Sequence, residues 1–308
     1  MTGKLYIDGQ DTYALYHVFV AKDGYKELVA FPSLKTVESN NWAEEDGEEF
    51  DLSTPVLDTR ELSVNFSFHG DDSRFGAFIE LLSDGAYHDF NFIEIGKTYS
   101  LRLVTQSGMA QVSTVGTLSL RFADDFPLPD YEYVAPQSSI IPQRGYELDE
   151  RDLSEYGVTV LQGSDTEIEK SPAVKKNLLQ NIKSQSGAIY DGENVAFQAK
   201  EVKLNCLMRA NTLEEFWRNY NALLYDLTRP DERLLYVDAI GYEYPCYYKS
   251  CSVLEFSPIG KIWFRFTLVL VFTSFRVEGE EFLLATEDDE LITTEQDDYS
   301  INLSVYGD

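Results

Sequence analysis

Two stretches of this chain, 140 positions apart, share one pattern, and any fold has to accommodate both. From Arg60 to Phe68 apolar and polar residues alternate, so Leu62, Val64, Phe66 and Phe68 fall on one face of an extended strand. A polar turn at Gly70–Ser73 leads into a helical pattern with Phe75, Phe78, Ile79 and Leu82 on one side, then into the strand Phe90–Phe92. Lys200–Met208 repeats the alternation. A polar break at Ala210–Thr212 follows, then a helix carrying Leu213, Phe216, Trp217, Tyr220, Leu223 and Leu224, and then the strand Leu234–Val237. Run backwards, the same offset pairs Pro32–Lys35 with Pro172–Lys175, Val18 and Val20 with Val158 and Val160, Tyr16 with Tyr156, and Tyr6 with Tyr146. Past the turn the offset becomes 141, as Phe75 against Phe216 shows. One insertion in a loop is a cheap change. The pattern predicts one domain used twice.

A chain of 308 residues is long enough for two domains, each with its own core. The expected fold class is mainly β (α+β), with one helix packed on each unit. Further strands are expected at Leu5–Asp8, Tyr16–Val20, Tyr99–Thr105, Thr117–Phe122, Tyr242–Val253 and Ile262–Phe275. Two long loops, Ser39–Phe50 and Gln180–Glu193, hold matching places. The first is strongly acidic and reads as exposed. The boundaries follow from composition: a first domain at 1–126 and a linker at 127–145 carrying Pro127, Pro129, Pro136 and Pro142 among polar residues. A second domain follows at 146–277 and an acidic arm at 278–308. The arm has eleven acidic residues and no Lys or Arg. Phe282–Thr286, Leu291–Thr294 and Tyr299–Val305 in it are strand-like, so the segment reads either as a solvated acidic tail or as an arm that adds strands to a neighbour.

Charge excludes more than it assigns. With 25 basic against 53 acidic residues the net charge is −28, which disfavours specific nucleic-acid binding, since that depends on Lys and Arg displacing counterions. No apolar run is long enough for a membrane span, and the amino terminus reads as lacking a secretory signal. Glycine-rich phosphate loops, nucleophile elbows and paired-histidine zinc motifs do not occur. His17, His69 and His88 are far apart in the sequence, and none is nominated as catalytic. Cys206 lies on the apolar face of its strand as a buried free thiol, while Cys246 and Cys251 lack a second pair that would make a zinc site. Glu44–Asp46 and Glu287–Glu290 lack the spacing of a calcium loop, and Tyr242, Tyr244, Tyr247 and Tyr248 alternate as strand packing does. The expectation is therefore no enzyme, with no catalytic, cofactor-binding or metal residues and no cofactor.

The element order in each unit is strands, a long loop, a strand, one helix, then more strands. It resembles the tail-tube fold of bacteriophage tails, a β-barrel or sandwich flanked by a helix. The second unit resembles the ring-forming domain of distal tail proteins of long-tailed phages. The matching features are Leu153–Val158, Pro172, Asp191–Gly192 before a strand, and the helix Thr212–Leu227 running into Leu234–Val237. The resemblance covers Tyr146–Phe275 and, more faintly, Leu5–Phe126. One departure is that distal tail proteins usually carry a lectin-like second domain, whereas tandem tube-like domains are a feature of baseplate hub proteins. The resemblance implies a structural ring protein at the junction of tail tube and baseplate, made in the bacterial host cytoplasm and carried in the virion tail. It would assemble with itself as a trimer or hexamer and with other tail or baseplate proteins, around a channel through which DNA passes unbound. A carbohydrate-binding or adhesive β-sandwich is the alternative from another class.

Overall fold

The computed structural model describes residues 1–274 apart from 71, 113, 128–130, 141–144, 176–178, 185 and 191–195. The expected arm at 278–308, with its strand pairs and Glu287–Glu290, lies outside the described residues, as does Asp191–Gly192. The fold is mainly β with short helices, built from two curled antiparallel sheets of seven strands. The first contains β1 (Leu5–Ile7), β2 (Gln10–Asp11), β3 (Val18–Val20), β6 (Arg60–His69), β7 (Tyr87–Phe92), β8 (Lys97–Val112) and β9 (Val115–Asp124), in the order β2-β1-β7-β8-β9-β6-β3. The second contains β10 (Tyr146–Leu148), β11 (Arg151–Asp152), β12 (Val158–Val160), β15 (Lys200–Ala210), β16 (Arg233–Val237), β17 (Tyr242–Ser257) and β18 (Ile262–Phe272). Its order, β11-β10-β16-β17-β18-β15-β12, is the same order position for position. Each sheet is open at both edges, short of a closed barrel.

The offset read from sequence is visible in the register. Val18 pairs with Phe68 and Val158 with Met208, both shifted by 140, and isolated bridges join Leu34 to Leu57 and Val174 to Phe197 at the same shift. One expected pair is off by a residue. Tyr6 faces Asp11 while Glu147 faces Asp152, so Tyr6 corresponds to Glu147 and not to Tyr146. A buried cation marks the same point in both units. Arg60 donates to the carbonyls of Leu28 (3.1 Å) and Ala30 (2.7 Å), and Lys200 donates to those of Ile168 (2.5 Å) and Lys170. Arg60 also pairs with Asp124 at 2.5 Å, whereas Lys200 lies over the ring of Phe272. These cations satisfy carbonyls that no strand reaches, as buried polar groups require.

Helices α2 (Asp72–Leu82) and α4 (Leu213–Leu227) occupy the expected places. Phe78 and Leu82 are buried, with Phe75 and Ile79 half-buried; Phe216, Tyr220, Leu223 and Leu224 are all buried. The Thr212 hydroxyl caps α4 by accepting from the Glu215 N–H, and the Glu215 carboxylate reaches back to the Asn211 N–H. The segment around Tyr16, expected as strand, is helical: α1 (Thr12–Tyr16) starts where the Asp11 carboxylate takes the N–H groups of Tyr13 and Ala14. A second short helix, α3 (Ser164–Glu169), was also not evident from the pattern. The long loops each carry a two-stranded hairpin, β4 (Ser39–Asn40) with β5 (Glu49–Phe50) and β13 (Leu179–Gln180) with β14 (Ile189–Tyr190).

Two features tie the units together. The main core cluster includes buried residues of both sheets. The proline-containing connection packs against α4: Asn219 accepts from the Gln137 N–H (2.9 Å), Glu215 from the Ser139 N–H (2.6 Å), and Tyr133 donates to Asp226 (3.2 Å). Polar side chains of α4 thus satisfy backbone N–H groups of the connection.

Candidate assembly surfaces

The two sheets meet at a buried aromatic junction. Phe31 sits in the first unit, two residues past the short turn Glu27–Val29. Its ring lies 4.4 Å from that of Tyr220 and meets Phe264 and Phe266 edge-on at 6.1 and 5.7 Å. Hydrogen bonds surround this contact. Tyr248 donates to the carbonyl of Pro32 (3.0 Å), Tyr220 to that of Ala30 (3.2 Å) and the Trp217 indole to that of Ile95 (2.6 Å). The N–H of Leu34 donates to the carbonyl of Lys249 at 3.0 Å, adding one residue of the first unit to the outer edge of β17. Beside it, Phe50 and Leu52 pack with Tyr247 and Val271.

The acidic hairpin of the first unit lies against the second unit too. Gly47 donates its N–H to the carbonyl of Phe197 (2.8 Å), Asp46 accepts the Phe197 N–H (2.9 Å), and Lys175 reaches the carbonyl of Trp42 (2.6 Å). A Cβ on Gly47, which has φ of +74°, would sit 1.9 Å from the carbonyl oxygen of Thr273, so only glycine fits this approach. As its acidity led us to expect, most of this loop is exposed, from Ser39 to Glu45 and at Glu49; Asp46 to Glu48 and Phe50 are partly or fully covered. Asp46 accepts a backbone N–H, and Glu48 and Glu49 bond within the hairpin, to Ser39, Asn41 and Trp42.

The histidines are not all apart. His17 and His69 stack with ring centres 4.6 Å apart, and Tyr13 lies 2.8 Å from Nε2 of His69. Arg74 donates to Nε2 of His17 at 2.6 Å, which fixes that nitrogen as an acceptor. His88 is buried between two carboxylates, with Nδ1 2.6 Å from Asp8 and Nε2 3.1 Å from Asp84. Burial pushes its pKa down, but the bonds to Asp8 and Asp84 outweigh it and raise the pKa above the ordinary histidine value. For Asp8 burial is likewise outweighed, by His88 and the Asp89 N–H, and its pKa is lowered. In the second unit the matching carboxylate is Asp149, which holds Arg233 (2.8 Å) and Arg229 (2.6 Å). One unit thus carries a titratable cation where the other carries a permanent one.

The remaining candidates resolve into packing. Cys206 and Cys246 are buried and Cys251 half-buried, all as free thiols, and burial pushes Cys251 up to about 12. Tyr244 stacks on Phe272 at 4.8 Å and Tyr248 is buried, which leaves no tyrosine platform on β17. Among the described residues no group of His, Cys, Asp or Glu is placed to hold a metal ion. Among the described residues no helix is long and apolar enough to cross a membrane.

What sequence reasoning missed is the junction, and the signal for it lay where the repeat breaks. Val29 and Phe31 are buried, while their counterparts Glu169 and Ser171 are exposed. Phe264 corresponds through the register to Gly116, and Tyr248 to Leu103. At these positions the large aromatic residue, Phe31, Tyr248 or Phe264, lies on the copy of the surface that is covered within the chain.

No protein-family model matches this chain, and no curated protein matches it. Among solved structures it is similar to the Dit (gp 19.1) protein of phage SPP1, described as a hub of the adsorption apparatus in phages infecting Gram-positive hosts. The identity is 13%, the match covers 87% of this chain and 98% of that one, and the TM-score is 0.30.

Proposed function

We propose that this chain is a structural, ring-forming protein of a phage tail or related injection machine, placed where tail tube meets baseplate. In this reading it consists of two tube-like units, at 1–126 and 146–277, joined by the 127–145 connection and followed by an arm at 278–308. The observation that carries the reading is the junction: two sheets of one strand order lie side by side in one core, with the Leu34 N–H added to the edge of β17. Lateral joining of like units, repeated, produces rings when the rotation closes. The net charge of −28 suits a channel wall that repels phosphates, an effect reaching about 8 Å at physiological salt. Partners are then further copies, as a trimer supplying six units or a hexamer supplying twelve, and neighbouring tail proteins bound in part by the arm. DNA passes without specific contact. Mass measurement in solution with imaging of the particles tests this. A closed ring with three-fold or six-fold symmetry is expected, and a stable monomer at high concentration, or tight salt-sensitive binding of duplex DNA, overturns it.

A further inference from the structure

Beyond Arg102, no strand among the described residues pairs with the outer edge of β8. β7 covers it from Lys97 to Arg102 and then ends, while β9 continues along the inner side as far as Val112. Leu103 to Val112 therefore presents an open edge, bent by register shifts at Leu103/Thr105 and Gln106/Gly108. Natural sheets guard such edges with charge or proline. Here there is neither: from Leu103 to Leu120 the chain has no Asp, Glu, Lys, Arg or Pro, although a quarter of all residues are charged. Val104, Met109 and Val112 are exposed on it, Val112 at 82%.

The corresponding edge in the second sheet shows what covers such a surface. β16 leaves β17 at Cys246, and beyond that point Leu34 donates its N–H to Lys249. Lys249 lies at the register shift that corresponds to Val104, and Leu34 corresponds to Val174. Val174 is exposed, as are Ser171 and Ala173 before it. The chain thus has one filled junction and, at its two far sides, the unfilled halves of another.

We propose that the open β8 edge of one copy receives the Ser171–Val174 segment of a second copy, with the Val174 N–H donating to the Val104 carbonyl as Leu34 does to Lys249. The contact is head-to-tail, so each copy offers one edge and one segment. Its side chains are smaller than those of the internal junction, with Ser171 for Phe31, Leu103 for Tyr248 and Gly116 for Phe264, so main-chain pairing carries it. The missing charge has a reason in this setting: copies of −28 repel, and a charge-free surface removes that repulsion where they meet. This inference rests on the ring reading and names the surfaces that would close the ring.

The test uses the full chain. Val104→Glu combined with Met109→Glu is expected to convert the assembly to monomer by light scattering, while Leu15→Glu, on an exposed residue that belongs to neither surface, leaves it intact. Val104→Cys and Val174→Cys chains, mixed and mildly oxidised, are expected to give a disulfide-linked pair that neither gives alone. The cysteine result stands even if the glutamate variant fails to fold. If the wild type assembles and the doubly charged, folded variant still does, or the mixed cysteines do not link, this edge is not the contact and the ring reading survives. A monomeric wild type removes both.

Discussion

Replacing Phe31 with Ala tests whether the two sheets are energetically one body. The ring is 2% exposed and closes on Tyr220, Phe264 and Phe266, all from the other unit. Loss of a buried phenylalanine costs about 3–5 kcal/mol through lost transfer and the cavity left behind. The cavity is walled by β18 and α4, which are held by their own packing and have little room to collapse, so the upper half of the range is expected. With a urea slope of about 3 kcal/mol per molar for a chain this size, the midpoint falls by about 1.3–1.7 M. Tryptophan fluorescence, through Trp217 at the junction, and far-UV circular dichroism should shift together. A loss below about 1 kcal/mol, which is what an exposed position gives, would refute the reasoning. So would wild-type unfolding in two separate steps, since that would mean the shared core does not couple the units.

Three further outcomes follow from the paired charges of the first unit. Arg60→Met, which leaves Asp124 and two carbonyls without their donor, should cost about 3–5 kcal/mol by chemical denaturation, and Arg60→Lys much less, because Lys200 already serves the same carbonyls in the second unit. The raised pKa of His88 makes its contribution fully present below about pH 6.5 and lost as pH rises through the folded value, so the urea midpoint should fall toward alkaline pH and stop doing so in His88→Gln. The lowered pKa of Asp8 acts at the other end: its contribution holds above about pH 3.9 and is lost as pH falls, and Asp8→Asn should flatten that acid limb in the same titration.

The parts legible in sequence were those governed by local periodicity. β6 and β15 alternate cleanly because one face of each is core, and α4 announces itself by its cap at Thr212 and the spacing of Phe216, Tyr220 and Leu224. Short elements were lost because their cause is a single side chain. Helix α1 exists because Asp11 caps it, and five residues give no period to read. The junction was lost for a different reason. Phe31 looks like any loop aromatic, and its partners Tyr220 and Phe264 are assigned by their own patterns to a core that needs no visitor. The stacked His17 and His69 were also invisible, since β3 and β6 bring them together across 52 positions of chain.

The junction also sets an order of events during synthesis. Tyr248 meets the carbonyl of Pro32 across 216 positions. At about 5–20 residues per second, the first unit waits on the order of 10–40 s after Phe31 is made before its cover exists. During that interval the first sheet can form, since all of its strands precede residue 125, but one flank stays apolar and wet. The nascent chain therefore exposes a surface that its own later half removes. A ribosome stalled before residue 213 would leave a folded first unit that is prone to stick to whatever else offers a β-edge and an aromatic pocket.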